Sequence, residues 1–164
     1  VKWKNVHLLL EAVRILQVKF PQIELVVIGK GEEEDHLKAQ AESLQISDKV
    51  HFLGAMYEGE EQSLEMLKAS IYVLAGMGGL SINEAMAHRL PVVCSIADGT
   101  EQHLVENKVN GMIFKDNNLS DLCSTLETMF QSDLIKMGEA SYQKIKETYN
   151  LQTVSGLYVK AFLS

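Results

Sequence analysis

The chain has 164 residues, 46% of them hydrophobic and 23% charged, which is enough apolar material for one ordinary globular core. Fifteen basic residues against 22 acidic ones leave a formal charge of -7, which argues against a nucleic-acid groove built on clustered basic side chains. No apolar run is long enough to cross a bilayer, the start is too polar for a leader, and Cys94 and Cys123 make no disulfide framework or metal knuckle, so a single cytoplasmic domain is expected.

Residues 6–18 carry apolar side chains at helical spacing (Val6, Leu9, Leu10, Val13, Leu16), and Pro21 stops the pattern. The β-branched run 23–29 ends in glycine and predicts a buried strand. A helix over 32–46 follows, with acids crowded into its first turn, where they suit the positive end of the helix dipole. Strand 49–54, helix 60–70 and strand 71–75 come next. Helix 81–89 leads into strand 90–96, where Pro91 is tolerated as an opening residue. A short helix over 98–107 has Asp98 and Glu101 at capping-box spacing, strand 110–114 follows, and helical patterns over 119–130, 132–149 and 150–163 close the chain.

Strands separated by helices predict βαβ units on one doubly wound parallel sheet, Rossmann-like, with a helical C-terminal tail. Apolar runs without clean alternation predict strands covered on both faces, His51 among the buried residues. Ligands of such sheets sit beyond the carboxyl ends of the strands, here after residues 29, 54, 75, 96 and 114.

The turn after strand 71–75 holds Gly76, Gly78 and Gly79 and then opens a helix near Leu80 and Ser81. Glycines let a backbone approach a ligand closely, and the first N–H groups of a helix lack intrahelical partners, so the turn could floor a phosphate. It could equally be a plain tight turn, with Ser81 and Glu84 forming a capping box. The residues alone leave both readings open. The five histidines are scattered and show no metal-site spacing, and Trp3 and Tyr57 are candidates for stacking on a base.

Taken together, "KNVHLLLEAV", "PQIELVVIGKGEEEDHLKAQAESLQISDKVHFLG", "SLEMLKASIYVLAG", "GGLSINEAMAHRLPVV", "DGTEQHLVENKVNG" and "MIF" resemble, in order, the C-terminal donor-binding domain of a family 4-type retaining glycosyltransferase with the two-domain B-type fold. The resemblance implies that residues 1–164 form the nucleotide-sugar domain of a larger enzyme. That enzyme would move a sugar from a nucleoside-diphosphate sugar to a hydroxyl acceptor, without a metal or other cofactor. An N-terminal acceptor domain and the domain's first strand would precede this chain, so the chain alone should not turn over. Peripheral attachment of the whole protein at the inner membrane surface fits the same picture.

By that resemblance Lys4 contacts the diphosphate, Gly54 opens the loop that brackets the base, and Gly79, Leu80 and Ser81 offer backbone to the phosphates; Gly78 in the glycine turn and Tyr57 in the loop after Gly54 join them as candidate donor contacts. Glu84 holds the ribose hydroxyls, and Glu101 belongs to the donor loop that follows. Lys4 and Glu84 stand nearest the chemistry. The sequence departs from the family pattern at Gly76, where the first of two paired glutamates is expected, and at Arg89, where a glycine is usual; Arg89 reads as a solvated helix end. Two rivals remain, a related sugar-nucleotide epimerase and a degenerate domain that binds without catalysis.

Overall fold

The computed structural model describes residues 4–56, 59–77, 80–97 and 99–148. The expectations for Trp3, Tyr57, Gly78, Gly79, Asp98 and segment 150–163 lie outside them. In chain order the elements are α1 (Val6–Leu16), β1 (Leu25–Ile28), α2 (Glu34–Ser43), a 3-10 turn (Ser47–Lys49), β2 (Val50–Gly54), α3 (Glu60–Lys68), β3 (Tyr72–Leu74), α4 (Leu80–Ala87), β4 (Val92–Ser95), α5 (Glu101–Leu104), β5 (Gly111–Phe114), α6 (Leu119–Phe130) and α7 (Leu134–Thr148). The expected alternation of parallel strands and helices is present. The elements are one to several residues shorter at their ends than the sequence pattern suggests, because terminal turns fray.

All strand pairings among the described residues are parallel. They fall into two groups, β1–β2 and β3–β4–β5, and β1 and β3 are not hydrogen-bonded to each other. A cavity of about 1310 Å³ is lined by residues of both β1 and β3.

Helix α1 joins the two groups. It buries Leu8, Leu9, Leu10, Ala12, Val13 and Leu16, a stripe wide enough to face two neighbours at once. Leu8, Leu9, Ala12 and Leu16 pack with Val93 of β4, Phe114 of β5 and Leu122, Leu126 and Met129 of α6. Leu10 and Val13 pack instead with Ala41 of α2, Ile46 and Val50. Each fully buried leucine contributes about 1.5–3 kcal/mol relative to exposure, so α1 is a principal brace of the fold. On the opposite face of β3–β5, Leu74, Val92 and Cys94 pack with Ile82 and Met86 of α4 and Leu104 of α5. The three-stranded part is therefore covered on both faces, and β4 is buried at every position.

The smaller group departs from the expectation of two-sided cover. Burial alternates along β2, with Leu53 38% exposed, and Val26 of β1 is 44% exposed. His51 is exposed rather than buried and lies 3.4 Å from Glu24. The helix that follows β2, α3, supplies nothing to the core of β1–β2: its one buried residue, Met66, packs with Ala85 and Leu90, and Leu64 and Leu67 stay half or more exposed.

Candidate functional site

The carboxyl ends of the strands collect the predicted site residues. The chain leaves β1 at Gly29, with φ 137°, and β2 ends at Gly54, with φ 74°. Both values lie in the region that disfavours side chains, and the two glycines are tied by a 2.7 Å bond from the Gly29 N–H to the Gly54 carbonyl. The cavity runs the length of β1 and β3, from Phe20 and Phe130 at one end to Gly29 and Ala75 at the other, and open α/β sheets hold ligands in the crevice beyond the carboxyl ends, the Gly29 and Ala75 end here.

Lys4 stands at this crevice for a local reason. Asn5, the N-cap of α1, adopts a left-handed φ of 50°, which asparagine tolerates, and no side-chain capping bond accompanies it. Its Nδ2 instead donates to the Ala75 carbonyl at 3.0 Å, just past β3. That bond fixes the start of α1 beside the carboxyl end of β3. Lys4, half-buried, lines the same cavity as Gly29, Lys30, Gln62, Ala75 and Ser81.

Helix α4 begins at Leu80, which is 79% exposed. Ser81 is therefore one residue inside the helix and not its N-cap, and the capping box with Glu84 does not form. Ser81 turns toward Tyr72 of β3. Burial pushes the Tyr72 phenol above its ordinary pKa, a side-chain hydrogen bond from Ser81 pulls it back, and the Glu84 carboxylate adds to the rise. Glu84 is half-buried, and its Oε2 accepts a 3.0 Å hydrogen bond from Nε2 of Gln62 on α3. Its main-chain carbonyl lies 2.9 Å from Nδ1 of His88.

Glu101 is 1% exposed, and its Oε2 accepts the Gly99 N–H at 3.0 Å. Among the described residues its Oε1 is buried without a hydrogen-bond partner, as is Oγ of Ser95 at the end of β4. In this geometry the carboxylate braces the loop after β4 from beneath. Close by, burial and then the Glu101 charge push the Cys94 thiol up to about 12, so it stays protonated and inert at neutral pH.

Lys4 and Ser81 both line the long cavity at its carboxyl end, Glu84 does not line it but is bonded to Gln62, which does, Gly54 is tied to Gly29, and Glu101 supports the loop after β4. Sequence reasoning missed Asn5 and Gln62. An asparagine at a helix start is a weak positional signal for the first, and nothing in the sequence marks the second, because its partner lies 22 residues away. Among the described residues no three His, Cys, Asp or Glu side chains cluster as a metal site, and no helix is long and apolar enough to cross a membrane.

The chain is 29% identical over 157 residues to an uncharacterized glycosyltransferase of Haemophilus influenzae, a match covering 93% of this chain and 43% of that protein. Its backbone superimposes on crystal structures of S. aureus TarM in complex with fondaparinux, alpha-GlcNAc-glycerol and UDP (TM-score 0.88, 20% identity, 100% of this chain and 34% of that one) and of Anabaena Alr3699/HepE in complex with UDP (TM-score 0.85, 21% identity, 99% and 46%). These likenesses give the fold, which is the B-type glycosyltransferase fold expected from the sequence, and the chain spans less than half the length of each of these proteins. The family described as Glycosyl transferases group 1 matches residues 1–148, and the chain belongs to that family.

Proposed function

We propose that this chain is the donor-binding part of a retaining glycosyltransferase, which passes a sugar from a nucleoside-diphosphate sugar to a hydroxyl acceptor. The observation that carries this reading is that the 3.0 Å bond from Asn5 to the Ala75 carbonyl holds the start of α1, next to Lys4, at the carboxyl end of β3, where α4 begins at Leu80 and Gln62 holds the Glu84 carboxylate. An ammonium point charge and the first N–H groups of α4, which a helix leaves without an intrahelical partner, are suited to a diphosphate, and a carboxylate can accept two hydroxyl donors at once, as a ribose offers them. The relatives captured with UDP, under 25% identical to this chain, bind a ligand of that class.

In the transfer the bond between sugar and diphosphate breaks, and negative charge grows on the departing phosphate oxygen. Lys4 and the α4 N-terminus offset that charge in place, without reorganisation at the moment of reaction. Glu84 fixes the nucleoside and thereby the position of the sugar. The acceptor surface belongs to the rest of the protein, so this chain binds donor but does not transfer sugar by itself.

Calorimetric titration of the 164-residue chain with uridine, guanosine and adenosine diphosphates tests the reading. One of the three is expected to bind, and Glu84→Ala to weaken it about tenfold, roughly 1.4 kcal/mol. Absence of binding at millimolar ligand to a folded sample overturns the proposal.

A further inference from the structure

Gln62 has no place in the reading above except as the partner of Glu84, and that contact is built with care. It crosses between two helices, α3 and α4, at 3.0 Å between Gln62 Nε2 and Glu84 Oε2, with both residues half-buried. One helical turn further on, Met66 lies on the same face of α3 as Gln62, because residues four apart are stacked on a helix surface. Met66 is 6% exposed and packs with Ala85 and Leu90, against Tyr72. Ala85 is the neighbour of Glu84 in sequence. The apolar contact therefore sets the spacing of the two helices, and the amide makes its bond within a distance already fixed.

The chemistry of the pair is informative. A lysine or arginine at position 62 would neutralise the carboxylate and compete for both oxygens. A neutral amide donates one hydrogen bond, leaves the negative charge in place and holds one oxygen in a single orientation. Among the described residues Oε1 of Glu84 has no hydrogen-bond partner. An oriented carboxylate with one oxygen held and one open is prepared for a hydroxyl donor before any ligand arrives, and preorganisation lowers the cost of binding. We infer that Gln62 is a positioning residue that orients Glu84 for the hydroxyls of the nucleoside ribose and so sets the preference of the site for ribose over a deoxygenated sugar. This inference rests on the donor-binding reading of Glu84.

The test is a double-mutant cycle on the 164-residue chain, with Gln62→Leu, Glu84→Ala and the pair. Gln62→Met is the second, more nearly isosteric, variant, and thermal unfolding confirms that each protein folds. The probes are whichever of uridine, guanosine or adenosine diphosphate binds most tightly, and its 2′,3′-dideoxy form. Gln62→Leu and Gln62→Met are expected to weaken the ribonucleotide about fivefold, to leave the dideoxy form unchanged, and to have no further effect once Glu84 is alanine. Equal losses for both nucleotides, or equal losses with and without the Glu84 carboxylate, overturn the inference, because Gln62 would then act through structure or by touching another part of the ligand. Loss of binding on Glu84→Ala with no effect of either Gln62 variant also overturns it while leaving the donor-site reading intact. If neither Glu84→Ala nor the Gln62 variants change binding of a nucleotide that does bind, the ribose role of Glu84 falls and the inference with it, while the donor-binding reading stands.

Discussion

Arg89 shows how a departure from a family pattern is accommodated at one position. It follows α4 with φ 58°, a left-handed conformation that costs most residues roughly 1–2 kcal/mol and costs glycine almost nothing. The side chain offsets part of that strain. Its Nε lies 2.7 Å from Oε1 of Glu139, and its guanidinium sits 4.0 Å over the Tyr142 ring, both on α7. The ion pair is half-exposed and worth at most about 1 kcal/mol, and the stack is worth about 0.5–1 kcal/mol. The sequence reading of a solvated helix end was correct about exposure and missed both partners, because neither lies within the same element. Arg89→Ala keeps the strain and loses both contacts, so it should destabilise the chain by about 1 kcal/mol. Arg89→Gly loses the same contacts but relieves the backbone, and should come within about 0.5 kcal/mol of the parent. Urea unfolding that ranks alanine at or above glycine would show that the backbone term has been overestimated.

At the scale of elements, α4 and α7 meet through a small residue. A Cβ built on Gly138 of α7 would overlap the Arg89 carbonyl oxygen at the end of α4, which is backbone and cannot swing aside. Gly138→Ala should therefore force the helices apart and cost about 1–3 kcal/mol, the usual range for overpacking a tight contact, where alanine for glycine in an exposed helix interior would stabilise. A rise in unfolding midpoint for this variant would mean that the helix ends separate freely. Packing of this kind is invisible in sequence, whereas the elements themselves were legible: all five strands and the helices between them follow from apolar periodicity and glycine or proline punctuation. What could not be read was which faces are covered. The run "ELVVI" looks buried on both sides, yet Val26 is 44% exposed, and α3 adds no residue to the core of β1–β2. The candidate site divides in the same way. Lys4 and Glu84 were reached through a family resemblance carried by several motifs, while the spacing of Ser81 and Glu84 suggested a cap that the helix start at Leu80 rules out. Gln62 was beyond reach, since only the packing of Met66 on Ala85 brings its amide to Glu84.

For the molecule as a whole, the decisive feature is that the strands stand in two groups with α1 and the core beneath it spanning both. The edges of β1 and β3 that line the cavity have no strand partner among the described residues, and unpaired edges leave backbone donors to water. The strand geometry says which donors these are. The Gly29 N–H bonds across to Gly54 of β2, and alternate residues of a strand point their N–H groups to opposite sides, so the amides of Val26 and Ile28 face the cavity. The Tyr72 N–H bonds to Pro91 at the entrance to β4, so that of Val73 faces the cavity from the other side. Hydrogen exchange followed residue by residue should find Val26, Ile28 and Val73 at least about 100-fold faster than their neighbours Val27, Tyr72 and Leu74 in the same two short strands. The contrast between adjacent residues separates this cause from general looseness of the fold, which would accelerate both sets together. Equal protection would mean that an extended segment of polypeptide already lies between β1 and β3. The crevice beside Lys4 would then be bounded by that segment, and the cavity left for a ligand would be confined to the carboxyl ends of the strands.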